Sequence, residues 1–88
     1  MFYYVCVLKS VRGEHLYTGF TRNLLKRVKE HNNGQVFFTK PGLPWKVIYY
    51  EACLDSEDAK RREKYLKTSR GRQLLKCRLK EYHYNNQK

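Results

Sequence analysis

Positions 2–8 read FYYVCVL, with apolar or aromatic residues on both alternating sets. A β-strand sends successive side chains to opposite faces, so a strand of this composition has to be covered on both sides. Phe2–Leu8 is therefore expected at the centre of a sheet, with other elements packed on each face. A chain of 88 residues can supply one such core and no second one. Its 41 % hydrophobic and 15 % aromatic content is enough to build that core rather than leave the chain disordered.

The segment Ser10–Glu14 carries the turn glycine Gly13, and His15–Gly19 reads as a second strand, so the two form a hairpin. Thr21 is the expected N-cap of a first helix running to about Asn32, with Gly34 just past its end. Leu24, Leu25 and Val28 form its apolar stripe, while Lys26, Lys29 and Glu30 face away. Arg27 and His31 are one turn apart and stack on one edge beside that stripe. Asn33–Pro44 is a long loop with two glycines and both prolines, pinned by Phe37 and Phe38. Trp45–Leu54 is a third strand. Asp55 opens a second helix, with Asp58 at its favourable third position, and the helix is expected to end near Ser69–Gly71. A third helix is predicted from about Arg72 to Tyr82, burying Leu74, Leu75, Leu79 and Tyr82. The order β-β-α-β-α-α predicts an α+β fold, a three-stranded mainly antiparallel sheet flanked by three helices. One domain over residues 1–82 and a frayed tail over 83–88 are expected.

Charge bounds the function. Nineteen Lys and Arg against eight Asp and Glu give +11. Between Ala59 and Lys80 stand ten basic residues and a single acid, Glu63, so +9 of the excess lies there. Such a balance suits a polyanion, either nucleic acid or an anionic membrane surface. No apolar run reaches the ~18 residues of a membrane span. The apolar N-terminus lacks the basic region and small-residue cleavage site of a signal peptide. Cys6, Cys53 and Cys77 are odd in number, widely spaced and without a CxxC pair. That pattern fits neither a disulfide framework nor a zinc site, and it fits buried thiols in a reducing cytoplasm.

Three residues sit where a purely structural chain would not put them. Ala59, Arg62, Glu63, Leu66 and Arg70 share a face of the second helix, and Glu63 falls between the inward positions Ala59 and Leu66. An inward carboxylate has to be paired or bind a metal. Its partner is either a cation such as Arg62, Arg70 or one on another helix, or a hard metal ion among phosphate-binding cations. Arg27 either covers the core edge with its aliphatic stem or presents its guanidinium fork to a phosphate. Tyr17 ends the second strand at the junction with the first helix, as a rim aromatic or a ligand contact.

In series, these residues resemble the GIY-YIG nuclease domain, in particular small single-domain bacterial members related to the nuclease module of the excision-repair excinuclease. The resemblance covers roughly Phe2 to Arg70. Tyr17-Thr18-Gly19 corresponds to the second half-motif, followed by Thr21 and Leu24-x-x-Arg27-x-x-x-His31. Pro44-Trp45, the strand VIYYE and Ala59-x-x-Arg62-Glu63-x-x-Leu66-Lys67 complete it. Tyr4-Val5-Cys6 takes the place of the first half-motif, with Cys6 where the family has tyrosine.

The resemblance implies a metal-dependent endonuclease that hydrolyses DNA phosphodiester bonds, selecting structure rather than sequence. Tyr17 would position or activate the attacking water, Arg27 would stabilise the phosphoryl oxygens, and His31 would hydrogen-bond or carry a proton. Glu63 would be the sole protein ligand of one Mg²⁺ or Mn²⁺. Arg22, Lys60, Arg61, Lys64, Lys67, Arg70, Arg72, Lys76 and Arg78 would hold the DNA backbone, which gives affinity without sequence reading. A protein partner could then supply specificity. Cys6 supports the alternative of a basic DNA-binding module of the same fold with weak or lost catalysis, or an adaptor in a DNA-repair complex.

Overall fold

The computed structural model describes residues 1–11, 15–34 and 44–85. The expected turn at Gly13 and the loop positions Phe37 and Phe38 lie outside the described residues. Three strands, β1 (Tyr3–Ser10), β2 (Leu16–Thr21) and β3 (Trp45–Cys53), form one sheet in the order β2-β1-β3. Both pairings are antiparallel. The doubly apolar segment is the central strand, and Val5, Cys6, Val7 and Leu8 are each 0 % exposed.

The two faces of β1 are covered by different helices. Val5 and Val7 pack in one cluster with Ala59 and Leu66 of α2 (Ser56–Leu66) and Leu75 of α3 (Ser69–Arg78). The alternate residues Cys6, Leu8 and Ser10 point to the opposite face. There α1 (Leu24–Asn32) lies with His31 fully buried. Asn32 clamps the end of α1 to the start of β3: its Nδ2 donates to the Trp45 carbonyl at 2.9 Å, and its Oδ1 accepts the Trp45 amide at 2.7 Å. Ile48 is the extra residue of a β-bulge, because Val7 pairs with Tyr49 while Leu8 pairs with Val47.

The helix ends differ from expectation for reasons visible in their caps. Asn23, not Thr21, caps α1, and its Oδ1 accepts the Lys26 amide at 3.0 Å. Thr21 is still strand, paired with Tyr4, and its hydroxyl accepts the Asn23 amide. The inward line of α1 is Leu24, Val28 and His31, and Leu25, expected in the apolar stripe, turns out to solvent at 76 % exposure. Asp55 caps α2 as expected, and Gly34 follows α1 with φ 73°, the left-handed region that favours glycine.

α2 stops earlier than expected because of Thr68. Its hydroxyl donates to the Tyr65 carbonyl at 2.6 Å and accepts the Gly71 amide at 3.1 Å, so one side chain closes α2 and opens α3. The single third helix expected from Arg72 to Tyr82 is two, α3 and α4 (Lys80–Asn85), broken at Leu79 (φ −104°, ψ 26°). The break sets Tyr82 against the end of the sheet, with the Lys9 and Lys46 ammonium groups 5.6 and 5.4 Å from its ring. The described residues thus hold four helices rather than three, and His83, Tyr84 and Asn85, expected in the tail, are helical. Cys77, expected to be buried, lies on the exposed side of α3, while Cys6 is buried and Cys53 half-buried.

Gly71 sets the approach of α3 to α2. A Cβ there would lie 2.6 Å from the Leu66 Cα and closer still to the Tyr65 carbonyl oxygen, and both are backbone that cannot swing away. Gly71→Ala is expected to destabilise the fold by roughly 1–3 kcal/mol, read as a lower urea midpoint. Cys77→Ser, on the exposed side of the same helix, is the control and should stay within about 0.5 kcal/mol.

Candidate active site

β2 is the edge strand beside α1 and α2, and a cleft of about 540 Å³ opens between these three elements. Tyr17 and Phe20 line it from β2, Arg27 from α1, and Glu57, Lys60, Arg61, Glu63 and Lys64 from α2. Three of the four expected catalytic residues thus meet in one cavity, and the fourth, His31, packs on Tyr17 with ring centroids 4.6 Å apart.

The spacing Tyr17-x-Gly19 has a steric cause. Residues two apart in a strand share a face, and the Tyr17 ring lies over position 19. A Cβ on Gly19 would come 2.7 Å from the Tyr17 Cε2. Glycine leaves that space for the ring. Arg27 then holds the exposed end of the ring: its Nη2 donates to the Tyr17 hydroxyl oxygen at 3.3 Å, and its Nη1 lies 3.5 Å from Glu30 Oε1. Burial opposes the charge on Arg27, but Tyr17 and Glu30 outweigh it, and the guanidinium pKa lies above its ordinary value. Arg27 Nε is buried with no hydrogen-bond partner among the described residues.

Glu63 enters the cleft from α2 with its side chain 22 % exposed. Its ion-pair partner is Lys67 one turn on, at 3.3 Å, and not Arg62 or Arg70. Arg62 is engaged elsewhere: its Nε donates to both oxygens of Glu51 on β3, at 2.9 and 3.1 Å. The Tyr49 hydroxyl adds a third bond to Glu51 at 2.8 Å. Burial would raise the Glu51 pKa, but the bonds from Arg62 and Tyr49 prevail and hold it below the usual carboxylate range. This network ties α2 to β3 at the residue next to Glu63. Glu51 is not among the residues singled out from the sequence; its signal is an acid in step with Tyr49 and Cys53, which pack against the core.

The expected backbone-binding cations divide by position. Lys60, Arg61 and Lys64 line the cleft, although Lys60 pairs with Glu57 at 3.9 Å and Arg61 with Asp58 at 2.6 Å. Arg22 lies over the Tyr3 ring at 5.7 Å, and Tyr3 stacks on Phe20. Lys67 and Arg72 line a neighbouring smaller pocket. Arg70, Lys76 and Arg78 are exposed and line neither cavity. Among the described residues, no helix is long and apolar enough to cross a membrane.

Residues 2–76 match the GIY-YIG catalytic domain. The chain belongs to the GIY-YIG family. A UPF0213 protein of Clostridium perfringens is 45 % identical over 65 residues, covering 73 % of this chain and 69 % of that one. A UPF0213 protein of Staphylococcus saprophyticus is 35 % identical over 75 residues, covering 84 % of this chain and 90 % of that protein. The solution NMR structure of a UPF0213 protein from Bacillus halodurans aligns with a TM-score of 0.52 at 29 % identity, over 85 % of this chain and 82 % of that one.

The resemblance sets Cys6 at the place of the first half-motif's tyrosine. Cys6 pairs with Gly19 across β1 and β2 and has no exposed surface. Burial raises its pKa, with the Arg27 charge pulling the other way, so it is a thiol and not a thiolate at neutral pH. Its neighbours do not replace the missing hydroxyl: Tyr3 stacks on Phe20, Tyr4 meets Tyr50 edge-on, and neither lines the cleft.

Among the described residues no three His, Cys, Asp or Glu side chains cluster as a metal cage. The single half-buried carboxylate of Glu63 in a cationic cleft instead fits a hard ion. Such an ion keeps most of its ligands as water and phosphate oxygens.

His31 is buried, and burial, reinforced by the Arg27 charge, holds its pKa below the ordinary 6.5; Glu30 pulls weakly the other way. The unfolded chain therefore binds a proton near pH 6.5 that the folded chain refuses. Stability rises with pH across that window and is lost as pH falls from about 6.5 toward the folded-state value. Urea unfolding between pH 8 and pH 5 should show this loss, and His31→Gln should flatten it. The separate loss below about pH 4.5, where the depressed Glu51 titrates, should remain.

Proposed function

We propose that this GIY-YIG protein is a divalent-metal-dependent endonuclease that hydrolyses phosphodiester bonds of DNA, selecting structure rather than sequence. The supporting observation is the convergence of Tyr17, Arg27 and Glu63 on one cationic cleft with His31 behind Tyr17. In this reading the DNA backbone enters over α2, where Lys60, Arg61 and Lys64 face it. Arg27 donates to the phosphoryl oxygens, and its contact strengthens as charge develops there in the transition state. Tyr17 holds the attacking water through its hydroxyl, whose oxygen already accepts from Arg27 and so has a fixed orientation. His31, kept neutral by burial, backs the Tyr17 ring and keeps it in place. The water gives up a proton to solvent as the new P–O bond forms, and the leaving oxygen departs and takes one up from solvent. Glu63 would hold one Mg²⁺ or Mn²⁺, which when bound would polarise a phosphate oxygen and acidify bound water. A cytoplasmic protein partner that presents the DNA belongs to the same proposal.

One observation favours a second reading, a DNA-binding module without catalysis. Cys6 is fully buried and does not line the cleft, and a thiol there offers no phenolic hydroxyl to a water. A larger ring there would have to displace packed neighbours.

Nicking of supercoiled plasmid and of structured oligonucleotides, with and without Mg²⁺ or Mn²⁺, separates the two. Wild type should cleave only with the metal. Glu63→Gln should lose about a hundredfold or more of the rate with DNA affinity unchanged or slightly tighter, since it removes an acid facing phosphates. Arg27→Ala should lower kcat by a similar factor with a smaller change in KM. Absence of nicking by wild type in both metals selects the second reading. In either case DNA affinity should fall with salt, with a log–log slope of about −5 if about six phosphates are neutralised.

A further inference from the structure

Tyr17 separates the cleft from a second pocket of about 220 Å³. The floor of this pocket is apolar, built from Leu16 of β2, Leu66 of α2 and Leu75 of α3. Two cations, Lys67 and Arg72, also line it, and Arg72 has no ion-pair partner among the described residues. The two cavities are joined by charge as well as by the shared tyrosine. Lys67 belongs to the smaller one, and its Nζ lies 3.3 Å from the Glu63 carboxylate that lines the larger. An anion held by Lys67 would therefore sit one ion pair away from the proposed metal ligand.

An apolar floor beside two cations suits a nucleotide: the ring system lies on the leucines, and the phosphate meets Lys67 and Arg72. The volume falls below the roughly 300–1,000 Å³ of pockets for drug-sized ligands, so it takes one ring system and not a base pair. A base inside a double helix would not reach the leucine floor; a base turned out of the stack, or one on a single strand, would.

We infer that this pocket is a subsite for an unpaired nucleotide adjoining the phosphate in the GIY-YIG cleft. The substrate class is accordingly DNA with an unpaired base next to the point of attack, such as a flap, bulge or frayed end. The inference rests on the reading of the main cleft as a phosphodiester site.

The test is an NMR titration of the isotope-labelled wild-type chain without divalent ions. One probe is a deoxynucleoside monophosphate and the other is inorganic phosphate at equal ionic strength. The mononucleotide should shift the backbone amides of Leu16, Thr18, Lys67 and Arg72 saturably, whereas phosphate should leave Leu16 and Thr18 unmoved. Leu16→Ser, at an edge-strand position already 37 % exposed, should weaken mononucleotide binding about fivefold by removing part of the apolar floor. Duplex affinity should stay within about twofold, because it is carried by phosphate contacts that Leu16 does not make. If Leu16→Ser loses the native spectrum, Arg72→Gln, at an exposed helix position, should weaken the mononucleotide instead. Identical responses to both probes, or shifts confined to other basic positions, or no effect of the folded variants, would overturn the subsite. Because the titration reads binding without metal, its failure leaves the Glu63→Gln cleavage test intact, and failure of that test leaves the titration intact.

Discussion

The burial of β1 on both faces is the constraint from which the rest of the molecule follows. Val5 and Val7 on one side, and Cys6 and Leu8 on the other, leave water altogether. Each buried valine or leucine is worth about 1.5–3 kcal/mol of transfer free energy, so both faces have to be covered. The short chain covers one with α2 and α3 and the other with α1. Helices on opposite faces of a three-stranded sheet can both reach side chains around its edge. Here that edge is β2, and the cleft forms where α1 and α2 meet it.

Within the cleft, small steric and electrostatic choices replace any large scaffold. Gly19 clears the space in which the Tyr17 ring lies. Arg27 then fixes its hydroxyl, and the neutral His31 backs its ring. α2 is held to β3 through Arg62 and the paired Glu51 and Tyr49, which sets the rotation of the helix that carries Glu63. Family membership supplies the prior for nuclease chemistry. The geometry adds a reason that the residues at these spacings are found together.

Much of this was legible in the sequence, because the strongest signals were local or periodic. The doubly apolar run placed β1 at the centre, Asp55 marked a helix start, and the inward spacing of Glu63 put it beside Ala59 and Leu66. What was illegible depended on cap choice and tertiary contact. Thr21 and Asn23 are both fair caps, and only the pairing of Thr21 with Tyr4 in the sheet decides between them. Leu25 is adjacent to the apolar stripe on the wheel, and only the seating of α1 on the sheet decides that it faces solvent. The break at Leu79 has no glycine or proline to announce it, and its effect, the seating of Tyr82 between Lys9 and Lys46, is tertiary. The counterion of Glu63 was likewise ambiguous among several nearby cations, and Glu51 claimed Arg62 from a strand remote in sequence.

The central claim is that Glu63 anchors a divalent ion in the cleft between β2, α1 and α2. Paramagnetic broadening of the backbone NMR signals by substoichiometric Mn²⁺ tests it most directly, without requiring turnover. The expected result is broadening centred on Glu63 and extending to Tyr17 and Arg27, abolished by Glu63→Gln. Broadening centred instead on the acidic start of α2, at Asp55 and Asp58, and unchanged by Glu63→Gln would contradict it.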